Sequence, residues 1–295
     1  MPDTYGYEVP EQRAQETLKR FFQGPVNLLD TSRNYAMGES EKRIGIAIKE
    51  NGGWPENFVL STKIDRNMDT LILDKKRTRE SIEESLKALN VDSVDVLFLH
   101  DPEYVKDIND VTKKNGALDE LFKIKEEGLA KAVGLAMGRI DIMFPILRKW
   151  DFDVIINHNR YTLLNREADE MYSYAHSKNI SIFNAAPYAG GILAKGPSNF
   201  KKITYQDATE EKLAPAIEIE KVCKKYNVEM GAAALQFSMK DKRITSTICG
   251  VTSVQSIEKN LAWAKTDIPE EFWNEVLKLP YSTKDPESER TYTPG

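Results

Sequence analysis

Cysteine is nearly absent from this chain: Cys223 and Cys249 are the only two among 295 residues. Two thiols without a close partner in sequence make neither a disulfide framework nor a metal cage, so both are expected as reduced core thiols of a cytoplasmic protein. Histidine is almost as scarce. His100, His158 and His176 show no His-Glu-x-x-His pattern and no carboxylate–histidine spacing, so no metal site is expected. His176 is read as a solvated helix residue. No uninterrupted apolar run is long enough to span a bilayer. The N-terminus lacks the basic stretch and apolar run of a secretory leader. No basic block interrupts a chain of net charge −5, which argues against nucleic acid as a partner. A Gly-x-Ser-x-Gly elbow is missing too, so nothing points to a serine hydrolase.

What is present is a large core-forming chain, 41% hydrophobic and 29% charged, with no Pro/Gly/Ser-rich linker and no low-complexity tract. It is read as one domain over residues 1–295. Short apolar runs at 26–30, 58–63, 94–100, 132–136, 154–157, 181–185 and 247–250 read as strands. Helical faces lie between them: Ile44, Ala47 and Ile48, then Ile82, Leu86 and Leu89, later Val254, Ile257 and Leu261. Strands separated by helices require parallel crossovers, hence an α/β fold. A closed barrel of this kind needs eight strands, and seven are clear. Ahead of them stands only a helix, 10–22, so the first strand is expected to be very short or to be missing.

Four polar residues sit where these runs end. Asp30 closes the first, Tyr35 lies in the loop beyond it, Lys63 closes the second and His100 the third. In a barrel of alternating strands and helices that edge carries the active site. A phenol beside an ammonium, a carboxylate and an imidazole forms a proton-transfer set for a carbinol or carbonyl oxygen. Lys63 would stabilise a Tyr35 phenolate, Asp30 would hold Lys63, and His100 would orient the substrate oxygen. Taken singly, each has a plainer reading as a cap, a solvated charge, a satisfied polar group or packing. The combination in this order favours chemistry.

The segment running from Asp30-Thr31-Ser32-Arg33-Asn34-Tyr35 to Glu41, with Ile44-Gly45 after it, resembles the aldo-keto reductase signature. Ser61-Thr62-Lys63 and Leu99-His100-Asp101-Pro102 resemble the family's next two blocks, and all four members of its tetrad match in order. The resemblance runs from about residue 11 to 269 and implies a (β/α)8 TIM barrel that binds a nicotinamide cofactor. Within the family, His158 to Leu164 and Asn184-Ala185-Ala186-Pro187-Tyr188 are most similar to the sugar dehydrogenases.

The resemblance also implies a cofactor site. Tyr188, Gly190, Gly191 and Leu193 would line the pyrophosphate, and Gly250, Val251, Thr252, Ser256 and Asn260 would hold the adenosine phosphate. Thr252 and Gln255 fit a capping box whose helix start would present free N–H groups to that phosphate. Three departures stand out. Members that prefer NADPH carry basic residues at the positions of Gly250 and Ser256, and neither is basic here. That tilts the expectation to NAD over NADP, with Lys259 near enough to weaken it. The Ser-Asn that often holds the carboxamide is replaced by Ala136-Met137, and His158, where many members have Gln, is the expected substitute. The stacking Tyr falls at about Ala185.

Specificity is expected from the loops at 65–73, 101–115, 138–142 and 193–205 and from the tail beyond Tyr281, which would cover the pocket or be disordered. Asp101, Glu103, Asn159 and Arg160 are candidates to hold sugar hydroxyls, and Trp54, Trp150, Trp263 and Trp273 are read as packing. The resulting expectation is an NAD-dependent dehydrogenase converting an aldose to a lactone. An NADPH-dependent aldehyde or ketone reductase is the first alternative, and a non-enzymatic, cofactor-binding regulatory subunit the second. The partner is a small-molecule sugar or carbonyl compound, not a membrane, and the protein is a monomer or small homo-oligomer.

Overall fold

A computed structural model of the chain describes residues 8–290. The short first strand expected within residues 1–9 falls mostly on residues 1–7, outside the described residues; Glu8 and Val9 are not in a strand. Contacts group the chain into two compact units, one covering 8–155 and 252–254, the other 156–251 and 255–290 among the described residues.

The first unit opens with helix α1 (Glu11–Phe22), started by Pro10. It continues through β1 (Leu28–Asp30), α2 (Glu39–Glu50), β2 (Val59–Ile64), α3 (Lys75–Leu89), β3 (Val94–His100), the short α4 (Ile108–Thr112), α5 (Ala117–Glu126), β4 (Ala130–Met137) and α6 (Ile140–Leu147). β1 to β4 are parallel neighbours in chain order. Their apolar runs are nearly unbroken because parallel strands are buried on both faces; Leu97, Phe98 and Leu99 of β3 are fully buried. The polar break in that strand is satisfied locally. Asp95 accepts the Leu60 N–H at 2.8 Å and pairs with Lys131 at 2.7 Å.

Helix ends follow the side-chain chemistry. Asp74 caps α3 by accepting the Arg77 N–H at 2.8 Å, and Asn90 closes it in the left-handed conformation. The faces predicted for α2 and α3 turn inward, with Ile44, Ile48, Ile82 and Leu89 buried. α2 and α3 meet at Gly45, where an added Cβ would lie 2.1 Å from the Ala88 carbonyl oxygen, so this packing requires glycine.

Register aligns the strand ends that matter. Asp30 stands opposite Ser61, Lys63 opposite Phe98, and His100 opposite Ala136. The C-terminal edge of this parallel sheet therefore receives Asp30, Lys63 and His100 together.

β5 (Val154–His158) straddles the division between the units. The second unit continues with α7 (Asp169–Ser177), β6 (Ser181–Ala185), α8 (Ile192–Lys195), an antiparallel hairpin of β7 (Lys202–Ile203) and β8 (Gln206–Asp207), α9 (Glu210–Tyr226), α10 (Met230–Met239) and β9 (Ser246–Ile248). It ends with α11 (Val254–Lys265), which starts at the boundary, and α12 (Glu270–Val276). β6 and β9 pair in parallel, with Ala185 opposite Ile248. Cys223 is buried, and burial pushes its thiol up to about 12, as suits a reduced core residue.

Candidate active site

Asp30 and Lys63 form the centre of the first unit's polar edge. The Lys63 ammonium donates to Asp30 Oδ2 and to the Thr31 carbonyl oxygen, each at 2.6 Å, and its side chain is 2% exposed. Ser61 donates to the other Asp30 oxygen at 2.7 Å. A charge so shielded persists only with close partners. The Asp30 carboxylate and the Thr31 carbonyl supply them and fix the ammonium in one place, while Ser61 steadies the carboxylate.

Tyr35 follows β1 on a short turn, Tyr35–Gly38, in which Ala36 and Met37 hold left-handed backbone with φ of 52° and 54°. Non-glycine residues adopt this region at a cost and are found disproportionately at functional sites. The turn brings the Tyr35 ring to the pair: Lys63 Nζ lies 4.7 Å from its centre. The His100 ring meets the same phenol edge-on, with centroids 5.9 Å apart. All four residues expected to act on the substrate oxygen thus gather within one unit.

Two further carboxylates flank His100. Asp65, buried just past β2, receives Nδ1 of the imidazole at 2.6 Å. Its other oxygen accepts the Ser32 hydroxyl at 2.5 Å and the Asn34 N–H at 2.9 Å. On the far side, Asp101 Oδ1 stands 3.8 Å from Nε2. Burial alone would lower the imidazole pKa, but the charges of Asp101 and Asp65 and the Asp65 hydrogen bond outweigh it and hold it above the ordinary histidine value. Burial likewise opposes ionisation of Asp65, yet the His100 charge and the donors around it keep its carboxyl below the usual range.

Glu103, two residues beyond Asp101, is turned away to the loop after β4. Its Oε1 accepts the N–H groups of Gly138 and Arg139 at 2.9 and 3.3 Å. Burial, followed by the Asp101 charge, raises this carboxyl to about 7.

The residues expected to hold a cofactor fall into three groups. Tyr188 donates to Asn260 Oδ1, with Cys249 Sγ 3.8 Å from the same phenol oxygen. Gly190 and Gly191 hold φ of 74° and 111°. A Cβ on Gly190 would meet the Tyr205 and Thr204 amide nitrogens at 2.7 and 2.8 Å, so the backbone approaching it is the chain's own. Leu193 is buried in α8, which leaves only its main chain available to a ligand.

Gly250 and Val251 are exposed ahead of α11, and a Cβ on Gly250 would have nothing within 4 Å. α11 begins at Val254. The Thr252 hydroxyl accepts from Arg13 at 3.4 Å, and this arginine is a cation that the sequence reading missed. Lys259, the other cation in this region, sits 4.6 Å from the Trp263 ring centre and 4.0 Å from Glu229.

The third group centres on His158. Its Nδ1 is 3.8 Å from Glu287 in the tail, whose carboxylate also takes Asn159 Nδ2 at 2.9 Å and Arg160 at 3.1 Å. Asp285 binds the same guanidinium at 2.5 Å. Arg160, 1% exposed, is thus committed chiefly to the tail: Nη1 donates to Glu287 and to the His158 carbonyl, and Nη2 to Asp285. Between Ser282 and Arg290 the tail is held by Arg160 and Asn159, through Asp285 and Glu287. Asn159 Oδ1, buried beside His158, has no hydrogen-bond partner among the described residues. Since Nδ2 faces a carboxylate, that orphan must be an acceptor, and an amide NH2 such as that of nicotinamide would satisfy it. An acceptor of this kind fits the carboxamide end of a nicotinamide dinucleotide.

Comparison with known proteins agrees with this chemistry. The aldo/keto reductase family model matches residues 3–279. L-galactose dehydrogenase of Arabidopsis thaliana is 30% identical over 86% of this chain and 78% of its own length. D-threo-aldose 1-dehydrogenase of a Pseudomonas species is 27% identical, covering 91% of this chain and 88% of its own. A potassium channel β subunit of Arabidopsis thaliana, described as probable, is 25% identical over 88% of this chain and 84% of its own. Among solved structures, the holo form of a Bacillus halodurans aldo-keto reductase superposes with a TM-score of 0.78 over 96% of this chain and 92% of its own, at 19% identity, which fixes the fold. With the tetrad gathered on the sheet edge where this fold places its chemistry, the α/β architecture is the (β/α)8 barrel type, and the chain belongs to the aldo/keto reductase family of NAD(P)-dependent oxidoreductases.

Proposed function

We propose that the protein is an NAD-dependent dehydrogenase that oxidises the anomeric carbinol of an aldose to a lactone. The observation that carries the reading is the buried Lys63–Asp30 pair set against the Tyr35 ring and His100. Bound nicotinamide supplies the two-electron acceptor: the C–H bond breaks with its pair leaving as hydride, and the carbon is oxidised as its O–H proton is lost. Tyr35 takes that proton. Lys63, immobilised by Asp30 and Thr31, favours the phenolate that can take it, and His100 orients the oxygen. His158 and Asn159 are the residues assigned to the carboxamide, and Gly250, Val251, Thr252, Ser256 and Asn260 to the adenosine end. The sugar preference is supported by the names of the two dehydrogenase relatives, and the NAD preference by the neutral Gly250 and Ser256.

One observation favours a second reading, an NADPH-dependent reductase of aldehydes or ketones. Arg13 reaches Thr252 and places a guanidinium, a natural partner of a 2′-phosphate, beside the adenosine segment. Incubating the purified protein with NAD or NADP and a panel of aldoses, and with NADPH and a panel of aldehydes, separates the two by absorbance of the reduced nicotinamide. Aldose-dependent reduction of NAD supports the first reading. Turnover confined to NADPH and aldehydes replaces it with the second. Cofactor binding without any turnover points to a non-enzymatic, cofactor-binding regulatory subunit, a reading to which the relative named as a probable potassium channel β subunit lends support.

A further inference from the structure

His100 is served by a carboxylate that no part of the tetrad requires. Asp65 is buried, lies two residues past Lys63, and meets Nδ1 at 2.6 Å. Its second oxygen is locked by Ser32 and by the Asn34 N–H, both in the loop that carries Tyr35. A carboxylate accepts only. Nδ1 must therefore carry a proton in every state in which the contact survives, and Nε2 is the nitrogen left for other chemistry.

We propose that Asp65 is a positioning residue for His100: it holds the Nδ1 proton, fixes the ring, and makes Nε2 a donor in the imidazolium and an acceptor in the neutral ring. This rests on the proposed role of His100 at the substrate oxygen and adds a direction to it. A carbonyl oxygen needs a donor, which Nε2 offers only while the ring is charged. A carbinol, whose single hydroxyl proton is committed to Tyr35, does not depend on that donor in the same way. The other titratable groups facing the imidazole in this unit are Asp101, 3.8 Å from Nε2, Lys63, whose charge opposes protonation, and the Tyr35 phenol at its edge. With Asp65 they raise His100 in the net, which puts the change of role above the ordinary histidine value near 6.5.

Replacing Asp65 by Asn tests this by its geometry. The Asn34 N–H demands an oxygen on its side, so the new NH2 turns toward His100 and Nδ1 must accept. The neutral ring then carries its proton on Nε2, the tautomer opposite to wild type. An Asp-to-Asn change beside a catalytic histidine has this effect in the serine protease triad.

Nitrogen-15 NMR of the full chain reads both tautomer and titration midpoint, and His100→Gln assigns the signal among the three histidines. The wild type should show Nδ1–H when neutral and a midpoint above 6.5. D65N should show Nε2–H and a lower midpoint. In turnover, wild-type carbonyl reduction should fall as pH rises through the His100 midpoint, and D65N should lose that fall.

A folded D65N protein with the wild-type tautomer and midpoint overturns the proposal. Should D65N fail to fold, the wild-type spectrum decides: a neutral His100 protonated on Nε2, or a midpoint at or below 6.5, overturns the proposal. None of these spectra requires turnover. Loss of the dehydrogenase reading through an active Tyr35→Phe variant is therefore a separate result from loss of this one.

Discussion

Glu103 offers a stability test that the fold makes quantitative. One oxygen is held by the Gly138 and Arg139 N–H groups, while Oε2 is shielded from solvent without a hydrogen-bond partner among the described residues. Burial and the neighbouring Asp101 charge lift this carboxyl from an ordinary 4.5 to about 7. Between those two values the folded protein keeps the proton and the unfolded chain releases it, so stability falls as pH rises through the window. Below 4.5 both states are protonated and nothing is lost. Above 7 the full linkage, roughly 3 kcal/mol, has been lost.

Glu103→Gln copies the protonated form, because its carbonyl oxygen can still accept both N–H groups and its NH2 takes the place of the lone oxygen. The variant should match wild type near pH 4.5 in urea unfolding and exceed it by up to roughly 3 kcal/mol at pH 8, a gain set by the same linkage. Asp101→Asn should shrink that gain by removing the repelling charge. A Gln variant that is no more stable at pH 8, or equally more stable at both pH values, would refute the assignment of a buried, proton-holding carboxyl.

Three other outcomes are expected. Tyr35→Phe should abolish hydride transfer in stopped flow while leaving cofactor affinity within about twofold, because the hydroxyl acts mainly in the transition state; wild-type rates would reduce Tyr35 to packing. NAD should bind at least about tenfold more tightly than NADP by fluorescence quenching, with Ser256→Arg narrowing the gap, since each charge-assisted contact contributes about 1.5–3 kcal/mol; tighter NADP binding that disappears in Arg13→Ala would hand the phosphate to Arg13. Glu287→Ala should destabilise by about 2–3 kcal/mol, less than a fully broken buried pair because Asp285 stays on Arg160. His158 and the arginines at 160 and 290 outweigh burial and depress the Glu287 pKa, so its contribution is present at neutral pH and is lost as pH falls below the ordinary Glu value. Denaturation at pH 7 and pH 3 measures it, and an unchanged difference between the two would refute the linkage.

The strands were legible because burial on both faces leaves a continuous apolar run. The runs at 94–100 and 181–185 match β3 and β6, and the other five fall within two residues at either end. The hairpin of β7 and β8 was not legible, since two residues in each strand carry no period. The tetrad could be read because Asp30, Lys63 and His100 each end an apolar run and Tyr35 follows in the loop after the first. Asp65 could not be read that way: it sits past the end of β2 and appeared only as the start of a loop. The signal available was its spacing from Lys63, since residues two apart at a strand end share a face. Glu287 lay in a tail whose polarity reads as solvation, and nothing local announces that Arg160, more than a hundred residues earlier, holds it.

The way the tail is fastened bears on how this enzyme can change its substrate. Ser282 and Lys284 are tied to the backbone and side chains at Leu164, Asn165 and Arg166, and the Pro286 carbonyl accepts from Thr204 in the hairpin loop. That loop is in turn pressed against Gly190. Three segments in which such barrels vary their specificity are here stitched into one piece. A graft that exchanges the tail alone would strand a buried arginine, and one that exchanges the loop at 193–205 alone would lose its seat on the glycine turn. New specificity in this protein is therefore accessible by replacing these segments as a set, or by point changes that leave Arg160, Asn165, Gly190 and Thr204 untouched.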